Sequence, residues 1–173
     1  MEHPLAGDDR DPAVAAVFER VEAGMGRVPN LYRILAAAPP LLEAWVHFAW
    51  TLRAEASTER GLRELVILRV AQLTHAEYEW AAHRRYALTF GVTEAQVEAL
   101  DDWRTGPFSS QERAVLAMAD ELTTDIALSD SCLAGLHEHF SAEDIVGLVL
   151  TAAFYSCVSR TVNGLRVPLE GSA

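Results

Sequence analysis

Between Leu62 and Leu73 the sequence LRELVILRVAQL is apolar on almost every face a helix would present, so it belongs in the middle of a helical fold. A second such stretch, IVGLVLTAAFYSCVSRTV, runs from Ile145 to Val162 and is expected to be a central or an oligomer-burying element. No alternating pattern of useful length appears between them, and the predicted class is all-α, with about eight helical segments and no internal repeat. The first stretch carries one misfit. Projected at about 100° per residue, Glu64 falls among Ile67, Leu68 and Ala71, inside the apolar arc. A carboxylate there must find a partner or stay protonated.

Thr74-His75 reads as a short break, and AEYEWAAH after it as the start of another helix. On that helix Ala76, Glu79, His83 and Tyr86 share one face. Glu79 and His83 stand at i and i+4, within reach of each other, and an ionised Glu79 favours the protonated imidazole. Antiparallel packing across so short a break carries Glu64 towards His83. Two carboxylates and an imidazole in one pocket are acid–base equipment. The same residues also suit a plainer arrangement, with Glu79 and His83 as a solvated surface pair and Glu64 as an anchor bonded to an arginine or a helix N-terminus. Arg63 and Arg69 are close to Glu64 in sequence but project from other faces of the helix.

Along the chain, residues 1–11 read as a loose polar segment and 12–173 as a single helical domain. Pro12 fits the first turn of a helix to about Glu22, broken by Gly24, Gly26 and Pro29. A short helix over Asn30 to Ala38 is stopped by Pro39-Pro40. In the helix that follows, Leu41, Leu42, Trp45, Phe48, Ala49 and Leu52 form the expected core stripe. Trp50 lies opposite with His47, so it is expected to meet a subunit or line a pocket. Ser57 or Thr58 is expected to cap the Glu64 helix, and Gly91 to end the His83 helix. Thr93 and Ser109 or Ser110 cap two further helices, one covers Asp130 to Phe140, and Ser141 starts the last.

The 173 residues suffice for a sizeable core, and the net charge of −11 argues against nucleic acid and against anionic membranes as partners. The N-terminal stretch has no basic region followed by an apolar one, so no secretory signal is expected. The longest uncharged run, Ile145 to Ser159, is short for a membrane span. Two cysteines, Cys132 and Cys157, form no CxxC pair, and a reducing cytoplasm is the expected compartment. Cys157 reads as a small core residue, Cys132 as a partly exposed but inert thiol. His137 and His139 diverge on a helix and His75 sits in a turn, so no metal site is expected.

The string ELVILRVAQL followed by AEYEWAAH resembles the signature of the carboxymuconolactone decarboxylase family, grouped with alkylhydroperoxidase D-like proteins. RVPNLYRILAAAPPLLEAW and TVNGLRVPLE extend the resemblance over most of the chain. It implies an all-α fold around the motif hairpin and a homo-oligomer, from dimer to hexamer. The peroxidase branch of the family carries Glu, then CxxC, then His. With its glutamate on Glu64 and its histidine on His83, its cysteines fall on Ala76 and Glu79, so a dithiol peroxidase is not expected. The decarboxylase-like branch has a glutamate in the second position, as in Tyr78-Glu79-Trp80. A Ser or Cys is common there at the place of Ala76, and alanine removes a hydroxyl donor.

The expected function is that of a cofactor-independent acid–base enzyme, a lyase or isomerase, acting on a small lactone, β-keto acid or enolisable carbonyl compound. His83 is the expected proton carrier, Glu79 its orienting partner and Glu64 a second acid or base, with Tyr78, Tyr86, Trp50 and Tyr155 around the substrate. The alternatives are a non-catalytic binding or structural oligomer of the same fold, and a thiol redox protein that lost the CxxC pair.

Overall fold

A computed structural model describes residues 11–171, which contain nine α-helices, one 3₁₀ turn and no strand. In chain order the helices are α1 (Pro12–Met25), α2 (Asn30–Leu35), α3 (Pro39–Glu55), α4 (Arg60–Leu73), α5 (Glu77–Thr89), α6 (Glu94–Ala99), α7 (Ser110–Thr124), α8 (Asp130–His137) and α9 (Ala142–Gly164). The 3₁₀ turn, Leu100–Asp102, follows α6. The helices divide into two compact units, residues 11–54 with 165–171, and residues 55–164. Of the segment expected to be loose, residues 1–10 lie outside the described residues, and Asp11 caps α1 by accepting from the Ala13 amide at 2.8 Å.

In the first unit α1 runs three residues past Glu22, because Gly24 is accommodated inside the helix and the stop falls at Gly26, in the left-handed region at φ 74°. α2 ends at Leu35 rather than Ala38. Pro39 and Pro40 do not precede α3 but form its first turn, where the missing N–H groups would have had no partner within the helix. The core stripe of α3 is narrower than expected. Leu42, Val46 and Ala49 are buried, whereas Leu41 is 67 % and Phe48 42 % exposed. The helix has apolar residues on more than one face, and periodicity alone does not choose between them. The C-terminal segment is pinned to the start of α2, where Glu170 accepts from the Asn30 amide at 2.8 Å and pairs with Arg27 at 3.3 Å. A carboxylate is favoured at a helix N-terminus.

The second unit is assembled around α4, whose residues from Leu62 to Ala71 are all buried. Leu65 and Leu68 enter a core with Ala87, Val92, Val97, Leu100, Trp103, Phe108 and Leu116. Burying each large aliphatic side chain there contributes about 1.5–3 kcal/mol before entropy is counted. The charged residues of α4 need their own answers. Arg69 donates to Asp120 at 2.5 Å, to the Gln72 side chain at 2.6 Å and to the Leu100 carbonyl at 3.1 Å. Neither Ser57 nor Thr58 caps α4, which starts after Glu59. Ser57 instead donates to Asp144 at 2.5 Å, and Asp144 also accepts from the Ser141 amide at the start of α9. Capping boxes Thr93–Gln96 and Ser109–Glu112 start α6 and α7 where expected. α8 stops at His137, three residues before Phe140.

The nine buried residues of α9 make it a core helix of this unit. Its other side is not covered within the chain. Val146, Leu150, Ala153 and Cys157 are exposed, so Cys157 is a surface residue and not a core one. Their spacing of four, three and four residues makes one continuous stripe.

Candidate functional site

α4 and α5 form a tight hairpin. The Thr74 amide closes on the Val70 carbonyl at 3.0 Å and the Ala76 amide on the Ala71 carbonyl at 2.9 Å. Between them His75 takes φ 52°, the left-handed turn conformation expected of a residue outside the site. Reversal over so few residues sets α5 back along α4. Glu64 and His83, 19 positions apart, meet: imidazole Nδ1 lies 2.7 Å from Glu64 Oε2. On the other side of the ring, Nε2 lies 3.4 Å from Glu79 Oε2, longer than a normal hydrogen bond. The nearer carboxylate is therefore the one across the hairpin, and the i,i+4 partner is the looser one.

Burial fixes what these groups must be. Glu64 is completely buried, and Glu79 and His83 are 4 % and 5 % exposed, so the solvated surface pair is not what forms. Glu64 is answered twice. Arg60, one turn earlier on α4, donates Nε to Oε1 at 2.6 Å and places its Nη2 against the same oxygen, leaving Oε2 for His83. Burial pushes the Glu64 carboxyl up, but the His83 hydrogen bond and charge and the Arg60 guanidinium outweigh it and hold the group below its ordinary value. Glu64 is thus ionised, and the favoured neutral tautomer of His83 carries its proton on Nδ1. That leaves Nε2 as the basic atom, on the side of Glu79.

Arg60 was not among the arginines singled out in the sequence, although its i,i+4 spacing to Glu64 is the signal that would have found it. The anchoring reading of Glu64 is met by Arg60, and the same guanidinium helps to keep the carboxylate ionised.

Two of the four expected substrate-lining aromatic residues stand at the imidazole. The Tyr155 ring meets His83 edge-on at 4.9 Å between centroids, and the half-buried Tyr86 ring lies at 5.8 Å. Tyr78 is buried on α5 but about 100° around the helix from Glu79, so it does not share the Glu79–His83 face. Trp50 belongs to the first unit, where its half-buried ring covers Gly24 so closely that a Cβ there would stand 2.8 Å from it. Cys132 is buried on α8 and not partly exposed as expected, and burial followed by the charge and hydrogen bond of Glu121 pushes its thiol up to about 11, which suits the inert role expected of it.

Residues 39–121, which contain the whole hairpin, match the model of the carboxymuconolactone decarboxylase family. The uncharacterized protein YdfG of Bacillus subtilis is 29 % identical over 99 residues, covering 56 % of this chain and 67 % of that one. A peroxidase-related protein from Silicibacter superposes with a TM-score of 0.85 at 19 % identity, covering 99 % of this chain and 91 % of the other. The debrominase Bmp8, in a cysteine-to-alanine variant complexed with 2,3,4-tribromopyrrole, gives 0.83 at 20 % identity over 99 % and 94 % of the two chains. At such identities the structural matches carry the fold alone. Residues 39–121 are thus similar to the carboxymuconolactone decarboxylase family, and the helices take the fold seen in alkylhydroperoxidase D-like structures.

Proposed function

We propose that the chain is a cofactor-independent acid–base enzyme that moves a proton at carbon or oxygen of a small enolisable carbonyl compound, such as a lactone, a β-keto acid or a ketone. One observation carries this reading: a buried imidazole held at Nδ1 by an ionised, arginine-paired carboxylate, with Nε2 turned towards a second carboxylate. A base oriented by a third group is the arrangement that proton abstraction requires. The distances favour exchanging the roles expected for the two glutamates. Glu64, at 2.7 Å, orients the ring and stabilises the imidazolium; Glu79, at 3.4 Å from Nε2, is the second acid or base. The Arg60–Glu64 pair is neutral as a whole, so His83 gains its partner without a net negative charge beneath it. The raised Cys132 thiol speaks against thiol redox chemistry at that residue.

The test is deuterium exchange from solvent water into α-angelica lactone, acetoacetate and cyclohexanone, followed by NMR, with carbon dioxide release read in parallel for acetoacetate. Wild-type protein is expected to exchange at least one of the three above the buffer rate. His83→Ala is expected to lose about 10²–10⁴-fold of that rate, the usual worth of a positioned acid–base group. Near-wild-type exchange by a folded His83→Ala protein would make the reading wrong at its centre. We infer also a homo-oligomer acting in the cytoplasm, supported by the exposed apolar stripe of α9 and by the two free cysteines, Cys132 and Cys157.

A further inference from the structure

Ser159 is the least exposed polar residue of α9, at 1 %, and its hydroxyl has no hydrogen-bond partner among the described residues. A serine in a helix normally has the carbonyl one turn back within reach. Thr151 and Thr161 on this helix do bond that way, to Gly147 and Cys157 at 2.8 and 2.9 Å. Leaving a buried hydroxyl unanswered is destabilising. A buried hydroxyl without a partner is free to meet a polar group of a bound ligand, and its place in the fold decides whether it does.

The helix phase says where the hydroxyl faces. Ser159 stands one turn after Tyr155 and one turn before Asn163, between them on the same side of α9. Tyr155 lies edge-on against His83, and Asn163 Nδ2 donates to the Thr74 carbonyl at 3.1 Å, where the hairpin reverses. Both neighbours of Ser159 along that line therefore touch the α4–α5 hairpin, one at His83 and the other at the turn. The stretch of chain between those two points contains Ala76 and Glu79, both buried. Ala76 contributes only a methyl group, and Glu79 contributes a carboxyl, so neither of these two supplies a neutral hydroxyl.

We propose that Ser159 binds the substrate oxygen: its hydroxyl donates to the carbonyl oxygen of the small carbonyl compound while His83 and Glu79 handle the proton. The inference rests on the acid–base reading and names the group that reading lacked. His83 Nε2 takes the proton from the carbon next to the carbonyl, and the C–H electron pair moves into the enolate. Negative charge then develops on the oxygen that the Ser159 O–H faces. Return of the proton to the same or the conjugated carbon closes the cycle with no oxidant or cofactor. In a buried site a donor aimed at the developing charge acts mainly in the transition state.

Ser159→Ala, with Ser156→Ala as control, separates the alternatives. Ser156 has the same kind of buried, unanswered hydroxyl but lies off the line from Tyr155 to Asn163. In the exchange assay with the same three compounds, Ser159→Ala is expected to lose about 10²-fold in kcat and in kcat/KM alike, and Ser156→Ala less than about 3-fold. In the free protein Ser159→Ala should melt at the wild-type temperature or above it, since it removes an unsatisfied group. A lowered melting temperature would overturn the proposal by showing a structural hydrogen bond. Exchange retained in full by Ser159→Ala would overturn it while leaving the roles of His83 and Glu79 standing. No exchange by wild type with any of the three compounds would overturn both.

Discussion

At the scale of single residues, the Arg60–Glu64–His83 chain makes stability as well as chemistry depend on protonation. Glu64 holds its proton more weakly in the folded chain than in the unfolded one. At acid pH the unfolded state therefore binds more protons, and stability falls as pH drops from the ordinary glutamate range through the lower folded value. Glu64→Gln is expected to flatten that fall, read as urea midpoints from neutral pH down to about pH 3. Glu121 and Asp144, lowered by bonds from Ser129 and from Ser57 and Ser141, stay in both proteins, so the difference isolates Glu64. At neutral pH the variant leaves Arg60 beside an uncharged partner. Its loss is expected towards the lower end of the about 3–5 kcal/mol of a broken buried pair, because Arg60 keeps some contact with water. Equal acid sensitivity in the two proteins would contradict the assignment. Ala76 and Glu79 also predict that thioredoxin-coupled peroxide reduction stays at the buffer rate. Cys132, raised to about 11, should label with iodoacetamide only on unfolding; fast labelling in the native protein would overturn that.

At the scale of elements, the hairpin was legible because its signals are local. An apolar helix, a break, and a glutamate and histidine one turn apart all lie within one stretch of sequence. The contact at Gly61 was not legible, because it joins the start of α4 to the end of α5. A Cβ on Gly61 would stand 2.7 Å from the Phe90 carbonyl oxygen, and that backbone is fixed by Phe90 N–H bonds to Tyr86 and Ala87. Gly61→Ala gains up to about 1 kcal/mol of helix propensity and meets an overpacking cost of about 1–3 kcal/mol. The expected result is a net loss of stability in urea titration, with weaker exchange activity because Arg60 is the adjacent residue. An unchanged or raised midpoint would show that the helix ends part without strain. The caps divide in the same way. Thr93 and Ser109 act through residues three positions away and were found, whereas Ser57 acts on Asp144, 87 positions away, and was misread as a cap.

At the scale of the whole molecule, the stripe Val146, Leu150, Ala153 and Cys157 bears on assembly. If a second copy covers it, light scattering at micromolar concentration should give a mass above the 19.0 kDa of one chain. Leu150→Glu should return it towards that mass, because burying an unpaired carboxylate opposes association. A wild-type monomer would end the oligomer proposal. The sequence by itself determined the all-α class, the central place of α4, the hairpin and the identity of Glu64, Glu79 and His83 as one group, because helical periodicity and short breaks act over a few residues. Only the tertiary structure decided which carboxylate the imidazole meets more closely and which arginine answers Glu64. It alone also decided which side of α9 is buried, where Trp50 packs, and that Ser159 is enclosed without a partner. Those outcomes depend on which face of one helix meets which face of another. A nearly all-round apolar sequence such as α4 or α9 satisfies several such choices equally well until packing selects one.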